Sequence, residues 1–138
     1  MSFDEWVNVY NSKNPQDPFK RDEHKMLMFD EDKGFCEVVF DDGMVFIGQV
    51  CGDARYWLRH IEEVARQIGI TRGGTVNIRS QILAYIRLFG YKLTEVINLP
   101  DGNKQYLATH KSTGKWLRAS PAFVYEDGKV AYGVTWEI

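Results

Sequence analysis

Hydrophobic positions change period several times along the chain, and each change marks an element. Phe3, Trp6, Val7 and Tyr10 recur at helical spacing, which predicts a short helix over 3–12. Asn14-Pro15-Gln16-Asp17-Pro18 breaks any regular pattern and reads as a loop. Three strands follow, over 25–29, 35–40 and 44–50. Asp30-Glu31-Asp32-Lys33-Gly34 separates the first two, and Asp41-Asp42-Gly43 the last two. The Asp-Gly pair supplies the positive φ that a tight hairpin turn needs. Met44 to Val50 is apolar at both parities, the pattern of a strand covered on both faces.

The period then changes to 3.6. Ala54, Trp57, Leu58, Ile61, Val64, Ala65 and Ile68 form one apolar stripe, with Arg55, Arg59, Glu62, Glu63 and Arg66 facing away. Asp53 suits the N-cap of this helix and Gly69 its C-terminal stop. A short strand over 75–79 comes next, then a second helix over 81–89 that Ser80 can cap. Two hairpins complete the chain. One pairs 91–99 with 104–109, the other 116–126 with 129–137. The strand–helix–strand unit at 44–79 implies one parallel pair with a right-handed crossover. The expected class is α+β: a mixed, mostly antiparallel sheet with one parallel strand pair and helices on its faces.

Composition narrows the class of partner more than the fold. The chain of 138 residues is of single-domain size, 44% hydrophobic and 26% charged, so a disordered or low-complexity chain is excluded. With 17 basic and 19 acidic side chains the formal charge is −2, which gives no overall field toward nucleic acid. Two cysteines, Cys36 and Cys51, are too few for a disulfide scaffold and read as buried thiols. No apolar run approaches a membrane span, and residues 1–6 lack the pattern of a signal peptide. A cytoplasmic protein that engages neither membrane nor nucleic acid is expected.

One segment carries candidate chemistry. At the end of the third strand, Val45, Gln49, Gly52 and Ala54 fit the spacing V-x-x-x-Q/R-x-x-G-x-G/A, followed at once by the amphipathic helix. A strand end, a glycine turn and a helix N-terminus together offer free N–H groups to a diphosphate. With the helix 54–68, the strand 75–79 and the run Arg87-Leu88-Phe89-Gly90-Tyr91-Lys92-Leu93, this segment resembles the GNAT superfamily of acyl-CoA-dependent N-acyltransferases. The resemblance covers about residues 25–109, leaving a hairpin over about 116–138 as an addition to a single GNAT-like domain. More narrowly, Gly52-Asp53 with Trp57-Leu58, Ile78-Arg79 and Phe89-Gly90-Tyr91 is similar to small GNAT-like proteins encoded by bacteriophages.

The resemblance implies acetyl-CoA as cofactor, held by Gln49, Val50, Cys51, Gly52, Asp53 and Ala54, and an amine as acyl acceptor. It implies a tyrosine in the second helix as general acid. Tyr85 lies one residue from the matching place, which Ile86 occupies. The asparagine commonly found before that helix is Arg79 or Ser80 here, with Asn77 slightly earlier. Glu37 is the candidate base. It alternates against Cys36, Val38 and Phe40, so it is expected on the opposite face of its strand, either solvated or catalytic. Asp53 departs from the pattern, because a carboxylate opposes a diphosphate and, as an N-cap, takes the N–H groups a diphosphate would use.

The remaining candidates read as structure. His24, His60 and His110 have no metal-ligand spacing. Lys111-Ser112-Thr113-Gly114-Lys115 lacks the first glycine of a phosphate loop. Trp116, Phe123, Tyr125, Tyr132 and Trp136 in the last hairpin either close the core or form an edge for a protein partner or a homodimer. Acyl transfer and non-catalytic protein binding therefore both stand as expectations.

Overall fold

The computed structural model describes residues 1–77 and 81–138. The chain divides into two compact units, Met1–Ile70 and Thr71–Ile138. The first contains α1 (Phe3–Lys13), β1 (Met26–Asp30), β2 (Gly34–Asp41), β3 (Met44–Gly52) and α2 (Ala54–Gln67). The second contains β4 (Arg72–Asn77), α3 (Ile82–Leu88), β5 (Tyr91–Asn98), β6 (Lys104–His110), β7 (Trp116–Val124) and β8 (Val130–Glu137). The class is α+β, and every strand pair inside either unit is antiparallel. The expected strand–helix–strand order is present, with β3 in the first unit and β4 in the second.

In the first unit β2 lies between β1 and β3. The sequence pointed to β3 as the strand covered on both faces, and the structure gives that place to β2. Phe35, Cys36, Glu37 and Val38 are all buried, whereas Phe46 on β3 is exposed. The reason is cover: α1 and Phe19 pack on the face of β2 that carries Phe35. Phe35 makes tilted or edge contacts with Phe3, Tyr10 and Phe19, at centroid separations of 5.5, 5.8 and 5.0 Å. Cys51 and Leu27 join the same cluster. α1 starts on a capping box, in which Ser2 Oγ accepts from Glu5 N–H while the Glu5 carboxylate accepts from Ser2 N–H.

The turn between β1 and β2 ties both helices of this unit to the sheet. The Glu31 carbonyl accepts from the Trp6 indole N–H at 3.0 Å and from the Met1 amine at 3.1 Å. The Lys33 carbonyl accepts from the Trp57 indole N–H and from Asp53 N–H, each at 2.9 Å. Gly34 and Gly52 face each other across β2 and β3. Both have positive φ, +95° and +100°, and a Cβ on Gly52 would sit 2.8 Å from the Lys33 carbonyl carbon. α2 buries Trp57, Ile61 and Ala65, the centre of its expected stripe, while Ile68 at its end is exposed.

The second unit orders its strands β4-β8-β7-β6-β5. The expected hairpin of β7 and β8 is present, but it is not an edge. β8 pairs with β4 on one side and β7 on the other, and β7 pairs onward with β6. Tyr132 and Trp136 are consequently core residues, while Trp116 and Phe123 stay partly exposed. Alternation separates them, since residues opposite one another along β7 and β8 share a face. Trp136 lies across Gly73, its partner on β4, where any Cβ would collide with the indole ring.

The outermost strand of this unit, β5, carries a bulge at Thr94, whose hydroxyl donates to the Leu107 carbonyl at 3.0 Å. A bulge beside the charges of Lys92 and Glu95 guards an edge against strand addition. α3 buries Ile82 and Ile86. The expected cap Ser80 and the strand end at 78–79 lie outside the described residues. No described helix is long and apolar enough to cross a membrane.

Candidate functional site

The segment assigned to a cofactor, Gln49 to Ala54, does lie where β3 ends and α2 begins. Its polar groups are engaged inside the first unit. The Gln49 carboxamide accepts from Lys20 N–H at 3.3 Å and donates to the Pro18 carbonyl at 3.2 Å. Val50 sits opposite Cys36 in the strand register. Cys51 is buried, its thiol 3.6 Å from the Trp6 carbonyl, and burial pushes its pKa up. Gly52 makes the close approach to Lys33, and Ala54 is the exposed first residue of α2.

Asp53 decides the chemistry of the helix end. Its backbone N–H is given to the Lys33 carbonyl, and its carboxylate accepts from Tyr56 N–H at 3.0 Å. Lys33 Nζ stands 3.6 Å from the other carboxylate oxygen. The Tyr56 N–H, then the Lys33 charge, hold this carboxyl below the ordinary aspartate range. A diphosphate needs free N–H groups and positive potential at this point. The Asp53 and Tyr56 N–H groups are already given to the Lys33 carbonyl and the Asp53 carboxylate, and that carboxylate stands where a diphosphate would, so the residues present do not fit the group.

Glu37 is the second point at which sequence and structure part. It lies on the α1 face of β2, as alternation places it, but that face is covered and not solvated. Its side chain is 0% exposed, and Leu27 lies opposite it on β1. Across β3 the register slips, so that Glu37 faces Gly48 and Gln49 together. Above it runs the segment 14–25. Arg21 Nη1 is 3.5 Å from Oε2, and Lys25 Nζ lies above Gly48. Neither carboxylate oxygen accepts a well-formed hydrogen bond. Burial pushes its pKa up, against the pull of Lys25, the Asp22 backbone and Arg21.

Tyr85, the other candidate catalytic residue, is on α3 in the second unit, with its ring 4.7 Å from that of Phe89. Sequence reasoning passed over Tyr10, which is buried beside Phe35. Burial and then Asp17 push its phenol to about 12. Its signal was only a helical apolar position, indistinguishable from core. Among the described residues no group of three or more histidine, cysteine, aspartate or glutamate side chains is placed to hold a metal ion. No family model, curated protein or solved structure matches this chain.

Proposed function

We propose that this protein acts by binding another protein chain and does not transfer acyl groups. The observation that carries this reading is the Asp53 carboxylate seated on the first turn of α2 and braced by Lys33. A helix end capped by its own carboxylate is a poor seat for a nucleotide diphosphate. Support on the binding side comes from the far end of β7, where Phe123 is 48% exposed and its ring lies 5.0 Å from that of Tyr125, two residues on. A partly exposed aromatic pair of this kind suits a contact surface.

The second reading is acyl transfer from acetyl-CoA to an amine, with Glu37 as base and Tyr85 as acid. It is favoured by the direct succession of β3 and α2 through Asp53, the order that the GNAT-like spacing implies. Calorimetric titration of the whole chain with millimolar acetyl-CoA separates the two. No saturable heat is expected. A saturable isotherm, with thiol released when amines are added, would overturn the binding reading and restore the enzyme.

A further inference from the structure

The segment 14–25 crosses the α1 face of the first unit's sheet on few attachments. Phe19 N–H donates to Asn11 Oδ1 at 2.7 Å, and the Phe19 ring packs on Phe3 and Phe35. Gln49 holds Pro18 and Lys20 through the two hydrogen bonds already described. Beyond Lys20 the segment is stitched mainly to itself. Arg21 donates to the carbonyls of Asp22 and Lys25, and His24 N–H to Asp22 Oδ1. This self-contained stretch is what closes over Glu37.

A wholly buried carboxylate, neither oxygen of which accepts a well-formed hydrogen bond, with only the Asp22 backbone and the Arg21 and Lys25 charges set against its burial, is a costly object when ionised. The groups facing it are few. The segment brings Arg21, Asp22 and Lys25, and β1 and β3 bring Leu27, Gly48 and Gln49, none of which is charged; the Cys36 thiol next along β2 points to the opposite face. Arg21 is 44% exposed and its guanidinium already serves two carbonyls, so its compensation is partial. Asp22 offers its backbone N–H but adds a like charge.

We propose that residues 14–25 form a proton-controlled strap, closed over the sheet while Glu37 is protonated and loosened when Glu37 ionises. The sign follows from linkage. With the segment open, Glu37 is solvated and titrates in the ordinary glutamate range. With it closed, burial raises the value, so closure takes up a proton and is favoured by acid. Rising pH opens the strap. A strap held by attraction between an ionised Glu37 and Arg21 or Lys25 would respond in the opposite direction. Opening would uncover the carboxylate together with the Gln49 amide on the sheet, beside the Tyr10 phenol of α1, an acid-gated change in what that face presents.

The test is amide hydrogen exchange at Phe19 and Lys20, followed by NMR from pH 5 to pH 8 and corrected for intrinsic exchange. Protection is expected to fall by up to tenfold per pH unit, between the ordinary glutamate value and the raised one, then level off. Glu37→Gln, which keeps the shape without the charge, is expected to abolish the slope and hold the strap closed. Protection that is flat or rises with pH in the wild-type chain overturns the proposal, as does a slope that survives in Glu37→Gln. The carboxyl 13C shift of Glu37 gives a check that needs no variant. It should titrate above the exposed glutamates, and titration with them or below them is equally fatal.

Discussion

Replacing Gly52 by alanine distinguishes two jobs for that glycine. If it exists to admit a diphosphate, alanine costs cofactor affinity and leaves stability nearly unchanged. If it exists to let β3 lie against the β1–β2 turn, alanine costs stability. Two contributions add on the second account. At φ +100° an L-residue is strained by about 1–2 kcal/mol. The new Cβ would also stand 2.8 Å from the Lys33 carbonyl carbon and 3.0 Å from Gly34 Cα. These are backbone atoms that no rotamer change can move, and overpacking of this kind costs about 1–3 kcal/mol.

The expected loss is therefore about 2–5 kcal/mol, a large part of the 5–15 kcal/mol typical of a whole domain. Gly43→Ala is the matched control. Gly43 also has positive φ, +72°, but a Cβ there meets nothing within 4 Å. It should show only the strain contribution of about 1–2 kcal/mol. The gain from a less flexible unfolded chain is common to both variants and cancels. Urea unfolding followed by tryptophan fluorescence should place the Gly52→Ala midpoint about 0.3–3 M below that of Gly43→Ala, for an overpacking cost of about 1–3 kcal/mol and a slope of about 1–3 kcal/mol/M. Equal midpoints, or a higher one for Gly52→Ala, would refute the structural account of the glycine.

Three further outcomes are expected. Asp53→Ala should lower the unfolding midpoint at neutral pH while Asp53→Asn, still a capping residue, largely preserves it; because the folded-state pKa is depressed, the advantage of Asp53 is present above the ordinary aspartate value and should vanish as the pH falls through and below it. Burial pushes the Cys36 thiol to about 12 and raises Cys51, so a chromogenic disulfide reagent at pH 8 should find neither thiol in the native protein and both after urea. Trp57→Phe should cost about 1–2 kcal/mol more than Trp136→Phe by thermal unfolding, since each indole is 3% exposed but only Trp57 gives up a hydrogen bond, while Trp136 sheds a buried N–H without a partner; equal costs would contradict this.

Local order was readable from the sequence because it is encoded locally. α2 runs Ala54–Gln67 against an expectation of 54–68, since its cap, its stripe and Gly69 all act within a few residues. The Asp42-Gly43 turn has positive φ at both residues, as its chemistry requires. What failed was knowledge of what covers each face. Alternation put Glu37 on the correct side of β2, but nothing local says that a proline-bearing polar segment folds back over that side. The same limit applies to β8, whose burial depends on β4, a strand more than fifty residues earlier in the chain. At the loop before α2 the spacing was legible while its use was not. A glycine required by a carbonyl and a glycine required by a phosphate look alike in one dimension.

The turn that joins β1 to β2 has a consequence for how this chain tolerates length variation. Most hairpin turns project into water and absorb extra residues at small entropic cost. Here two consecutive odd-numbered carbonyls, those of Glu31 and Lys33, each anchor an indole, Trp6 from α1 and Trp57 from α2. One inserted residue would rotate those carbonyls out of register with both helices at once. The Asp101-Gly102 turn, where a Cβ on the glycine meets open space, has no such obligation. Random single-residue insertion with selection for folded protein should therefore leave 30–34 nearly empty of survivors while populating 100–103, a scar map that marks the assembly point of the first unit without reference to any ligand.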